Sequence, residues 1–165
     1  MEVIEKPAPQ YAGFWLRLAA YIIDYFVLQI AGGIVALPII LTMVGGIITA
    51  SQQPDSTIKV LGILSVIGGS LLLLILILLA VGWLYYAIME SSTPQGTLGK
   101  MAVGIKVTDM QGNRISFGRA TGRYFGKIIS KIIFYIGFIM AGFTDKKQAL
   151  HDIMAECLVV RKEVQ

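Results

Sequence analysis

The chain is poor in the side chains that most chemistry needs. It has one cysteine and one histidine in 165 residues. A lone Cys157 permits no internal disulfide, and no His, Cys and carboxylate grouping has metal-ligand spacing, so neither a disulfide scaffold nor a resident metal is expected. Charge is scarce as well: 15% of residues are charged against 56% hydrophobic, with a mean hydropathy of +0.74. That balance excludes an ordinary water-soluble globule and points to a single integral membrane domain. Residues 1–13 carry Glu2, Glu5, Lys6, Pro7 and Pro9, so they lack the basic start and apolar core of a secretory leader. The first apolar stretch is therefore expected to persist as a span.

What is present begins with two long apolar runs. Val60 to Ala87 holds no charged residue over 28 positions, more than the roughly 20 needed to cross a bilayer as a helix. Phe14 to Gly46 is the other run, with Pro38 predicting a kink and Gly45-Gly46 an end. Gln52 to Lys59 is a polar turn between them. In the second run Ser65 and Gly69, with Gly62 and Gly68 nearby, would let another helix approach closely.

Arg17 and Asp24 interrupt the first run, and they are its only charges. An ionisable group at membrane depth costs several kcal/mol unless it is paired or reached by water. Seven residues separate the two, close to two helical turns, which puts both on one face about 10 Å apart along the axis. The plainer alternative is an Arg17 that snorkels to a headgroup and an Asp24 that caps a short interfacial helix.

Beyond the second run the charge changes. Glu90 to Lys131 carries seven basic residues against two acidic ones, which predicts a cytoplasmic segment and, with two crossings, a cytoplasmic N-terminus. Nucleic acid is not expected as a partner, because no recognition module or aromatic stacking platform accompanies the charge. Alternation at Ile105 and Val107, a turn over Asp109 to Asn113, and alternation again at Ile115 and Phe117 predict a β-hairpin within residues 100–117. Gly118, Gly122, Gly126 and Ser130 then form a small-residue stripe of period four, beside a basic stripe of Arg119, Arg123, Lys127 and Lys131. This predicts an amphipathic helix whose basic side contacts anionic lipid headgroups. It leads into Ile128 to Phe143, 16 mostly apolar residues that either cross or turn back.

The tail, residues 144–165, contains His151 beside Asp152 and a β-prone run from Cys157 to Val160. The histidine and aspartate form a possible proton-handling pair, or a capping pair that fixes a loop. The tail run needs a strand partner, and the strands around Ile105 and Val107 are the available ones. Arg17, Asp24 and Asp152 are expected to approach one another, since an unpaired charge at that depth costs more than bringing the tail back.

Taken in order, Arg17 with Asp24, the run Thr97-Leu98-Gly99-Lys100 before a strand Gly104 to Asp109, Gly112 in the turn, Arg123 in the next helix and His151-Asp152 before a Val-Val strand resemble the RDD family of small bacterial membrane proteins. The resemblance covers nearly the whole chain. It implies that the Arg and two Asp of the family name are Arg17, Asp24 and Asp152, and it implies an inner-membrane, multi-pass protein with three hydrophobic segments and a proposed role in transport.

The fold class expected is all-α and membrane-embedded: two transmembrane helices, a basic amphipathic helix leading into a third hydrophobic segment, and a small cytoplasmic hairpin. An enzyme is not expected. Gly96-Thr97-Leu98-Gly99-Lys100 has two residues between its glycines where a phosphate loop needs four, and Met101 follows the lysine in place of Ser or Thr. Two functions remain open. One is cation- or proton-coupled transport by a homo-oligomer, with Asp24 and Asp152 exchanging the ion, Arg17 tuning them, and no cofactor. The other is an accessory membrane protein in which the same residues form an ion-pair lock above a basic cytoplasmic face.

Overall fold

The computed structural model describes residues 9–132 and 139–162; the side chains of Lys131 and Ile132 are also left aside. The chain divides into two compact units, residues 26–82 and the remainder.

The first unit is built from the C-terminal part of one long helix, α1 (Phe14–Ser51), the link after it and the N-terminal part of a second, α2 (Ser56–Ser91). Both exceed the sequence expectation: Gly45-Gly46 does not end α1, and Pro38 is taken into its interior. The polar link shortens accordingly, and Asp55 caps α2 by accepting from the backbone N–H of Thr57 and Ile58 at 2.8 and 2.9 Å. The two helices meet through small residues, where a Cβ on Gly46 would come 2.9 Å from Val66 and one on Gly62 would come 3.2 Å from Ala50. Gly68 and Gly69 face open space, so they are not part of that contact. Ile30, Ile34, Leu61 and Leu64 are each more than 60% exposed, and such a surface is stable only in hydrocarbon.

The second unit is held by a small antiparallel sheet. Its strands are β1 (Ile105–Asp109) and β2 (Cys157–Arg161), with Val107 opposite Val159 and Asp109 opposite Cys157. The predicted hairpin is corrected here. The turn at 109–113 exists, with the Asp109 carboxylate accepting from the N–H of Gln111 and Asn113, but no strand follows it. Instead Ser116 accepts at its hydroxyl from the N–H of Arg119 and starts helix α4 (Phe117–Ile132), so the capped helix wins and the tail supplies the second strand. The pairing of the tail with Ile105 and Val107 is as the sequence predicts.

Both edges of this sheet are covered. Residues 10–12 run along β2, with the Ala12 N–H donating to the Val159 carbonyl at 2.8 Å and the Arg161 N–H to the Gln10 carbonyl at 2.9 Å. On the other side Gln95, at a positive φ of 56°, binds Val107 through both its backbone and its side chain. Ala12, Ala20, Ala87, Ile105, Val107, Ile115, Ala120, Cys157 and Val159 form the core. Two one-turn helices, α3 (Leu98–Ala102) and α5 (Leu150–Met154), complete the unit. Of the third hydrophobic segment, residues 133–138 lie outside the described residues.

Candidate functional site

The sequence places four charged side chains where this unit has no water to offer them. Asp152, Glu90 and Arg123 are at most 1% exposed, and Lys100 is 7% exposed. Each is brought there by a different element, and each finds its partner in another.

Asp152 lies in the single turn of α5, where one oxygen accepts from the N–H of Ala149 at 3.1 Å and so holds the turn's start. The same oxygen pairs with Arg17 of α1. Its other oxygen pairs with Arg123 of α4 at 2.6 Å. Arg17 is fixed further by donating to the carbonyls of Ala12 at 2.9 Å and Lys147 at 2.6 Å. Burial alone would raise the Asp152 carboxyl, but Arg123 and then Arg17 override it and hold the group well below the usual carboxylate range.

Arg123 continues the network to Glu90, at the last turn of α2, through a 2.6 Å contact. Lys100 of α3 and Lys127 of α4 both donate to the Oε1 oxygen of Glu90, the latter at 3.0 Å. Lys127 also lies 4.0 Å above the ring of Tyr86. Burial lowers the Lys100 amine to about 7 against the pull of Glu90. Arg123 moves the other way: burial opposes its charge, yet Asp152 and Glu90 together raise it above the ordinary guanidinium value.

The basic stripe of α4 is thus corrected from its predicted role at the headgroups. Arg123 and Lys127 turn inward, because two buried carboxylates need countercharge more than a lipid surface does. Arg119 stays at the surface and pairs with Glu156 at 2.6 Å. The side chain of Lys131 falls outside the described residues. Gly126 is the point where α4 and α5 touch, since a Cβ there would lie 3.2 Å from the Cα of His151.

Arg17 and Asp152 meet, as the sequence expects of its charged trio, but Asp24 goes elsewhere. Its carboxylate accepts from the Tyr85 hydroxyl at 2.7 Å, the Thr97 hydroxyl at 2.6 Å and the Gly99 N–H at 2.7 Å. Three neutral donors satisfy it because α3 packs directly on α1: a Cβ on Gly99 would collide with the carbonyl oxygen of Ala20. His151 is 3% exposed, 3.5 Å from Asp152 and 3.4 Å from the Ser130 hydroxyl, and burial pushes its imidazole down to about 3. At neutral pH it is an uncharged packing and hydrogen-bonding group.

Glu90, Lys100 and Tyr85 are the residues that the sequence does not single out as a site. One signal was present: an acid in the last turn of a helix opposes the helix dipole, so it implies cations nearby.

Beside the network lies a cavity of about 410 Å³. Arg17, Lys100, Arg123 and Lys127 line it together with Asp24, His151 and the rings of Phe14, Tyr21, Tyr86 and Tyr124.

The model of the RDD family matches residues 11–156. The chain belongs to the RDD family. It is a membrane protein with two helices long and apolar enough to span. Among its relatives is the uncharacterised protein YxaI of Bacillus subtilis (strain 168), 39% identical over 96% of this chain and 100% of the relative. Another is the uncharacterised membrane protein YteJ of the same organism, 29% identical over 93% of this chain and 83% of the relative. No solved structure matches this RDD chain.

Proposed function

We propose that this protein is an accessory protein of the bacterial inner membrane, with a cytoplasmic N-terminus, in which an ion-pair lock fastens the charged cap to the ends of the long helices. One observation carries the reading: Asp152 is closed to solvent and held between Arg17 and Arg123. A carboxylate that exchanges a cation or proton needs access and a charge that can change. This one has neither, and removing a partner would strand a buried charge. The exposed Arg114, Lys146 and Lys147 remain available to an anionic leaflet or a partner protein.

A second reading, cation- or proton-coupled transport by an oligomer, is favoured by the position of Asp24 on the cavity wall. Proteoliposomes assayed with sodium, potassium, lithium and proton gradients separate the two. The lock reading expects flux equal to protein-free vesicles. Flux above that level, abolished in Asp24→Asn while the protein stays inserted, would establish transport instead.

A further inference from the structure

The network and the cavity share an asymmetry. Of its six ionic side chains the four cations line the cavity, whereas neither carboxylate, Glu90 or Asp152, does. The four cationic residues therefore contribute to the cavity wall, whereas the two carboxylates that hold them do not. Asp24 is the acid on the wall, and both of its oxygens are already taken by Tyr85, Thr97 and Gly99. Lys100 and Lys127 share one oxygen of Glu90, although each ammonium carries three N–H groups.

Polarity also changes across the cavity. Lys100 and Arg123 at its floor are nearly closed to solvent, while Tyr21, Ile128 and Ile139 at its edge are 42%, 39% and 46% exposed. A volume of about 410 Å³ falls within the range of ligand pockets and exceeds what a lone inorganic ion fills.

We infer that this cavity binds an oxyanion carried on a hydrocarbon body, a phosphate or carboxylate seated against Lys100, Lys127 and Arg123 with its chain leaving past Tyr21, Ile128 and Ile139. The lock alone does not require such a ligand. Burial lowers both lysine amines, and an anion bound beside them would oppose that shift. Tyr86 beneath Lys127 holds that ammonium in place for the contact.

The test uses the full chain in phosphatidylcholine nanodiscs and a dodecyl phosphate bearing a photoreactive group at its chain end, with crosslinks mapped by peptide analysis. Crosslinks are expected at cavity-edge residues such as Tyr21 and Ile128. Competition by phosphatidylglycerol identifies a lipid headgroup as the natural source, and competition by dodecanoate alone identifies a free fatty carboxylate; inorganic phosphate competing as well as dodecyl phosphate would overturn the hydrocarbon half of the proposal. Lys127→Gln should weaken capture about tenfold, as expected for one lost charge-assisted hydrogen bond. Leu18→Trp fills the cavity without touching the network and should weaken it at least as much, with an unchanged melting temperature. The idea is overturned if dodecyltrimethylammonium competes as well as unlabelled dodecyl phosphate on the wild-type protein. It is equally overturned if crosslinks map away from the cavity, or if Leu18→Trp folds and captures the probe undiminished.

Discussion

Arg123 reaches Glu90 across 33 residues of sequence, at 2.6 Å and with both side chains at most 1% exposed. Among the described residues no other cation pairs with both Glu90 and Asp152, since the same guanidinium also reaches Asp152. The end of α2, the middle of α4 and the tail are joined by one planar group whose fork suits two carboxylates at once.

Glu90→Gln should accordingly be among the most damaging single changes. It leaves Lys100, Lys127 and Arg123 without their shared counter-ion, and breaking a buried pair in this way costs about 3–5 kcal/mol. Arg119→Ala breaks the exposed pair with Glu156 and should cost less than about 1 kcal/mol. Thermal melting of both variants in detergent checks the ranking, and equal effects would contradict the structure.

Gly99→Ala should abolish accumulation of folded protein, because its Cβ has no space beside the Ala20 carbonyl oxygen and the Asp24 carboxyl. Gly68→Ala, in a helix with nothing within 4 Å, should be tolerated and even gain up to about 1 kcal/mol of helix propensity. Membrane-fraction yield and melting temperature report on both.

Acid should loosen the cap in two stages. His151 has a folded value pushed down to about 3, against an ordinary 6.5 when unfolded, so the unfolded chain binds more protons between those values. Stability is then full above about 6.5 and falls as pH drops toward 3. Asp152, held below its ordinary value of 3.8, contributes stability that begins to be lost only below that pH. Melting temperatures measured from pH 8 to pH 3 should decline from near 6.5 downward. His151→Gln should flatten the upper part of that decline and leave the part below 3.8.

The sheet also fixes a topology. Because β2 pairs with β1 and with residues 10–12, the tail must lie on the same side of the membrane as the start of α1. Cysteines introduced singly at Gln111 and Met154 in a Cys157→Ala background should both resist an impermeant thiol reagent in intact cells. One at Gln53, in the link between the long helices, should react. Labelling at Met154 from outside would mean that the third hydrophobic segment crosses.

Much of this architecture can be read from the chain without coordinates. The two helices follow from long apolar runs, one free of charge and the other broken only by Arg17 and Asp24, and the β1 and β2 pairing follows from the tail run's need for a partner, which the strand around Ile105 and Val107 supplies. The hairpin misleads because Ile115 is a real core residue in an alternating context, while the deciding contact, the Ser116 hydroxyl on the N–H of Arg119, is local and weak in sequence. Arg17 stands out because charge is rare around it, and Asp152 because it stands beside the chain's one histidine. Glu90 does not, since it closes a span where a polar residue is ordinary and its three partners lie 10 to 37 residues away. The stripe on α4 shows its period but not its direction, which depends on carboxylates contributed by other elements.

The position of β2 at the very end of the sheet's assembly order bears on how the protein is made. Residues 10–12 and β1 leave the ribosome long before their common partner does. Until residues 152–161 emerge, Arg17 and Arg123 have no Asp152, and residues 10–12 and β1 have no strand between them. A nascent chain that has not yet made β2 therefore presents an Arg17 without its carboxylate and two open strand edges, the kind of surface that membrane chaperones and proteases recognise. The arrival of β2 is what hides it.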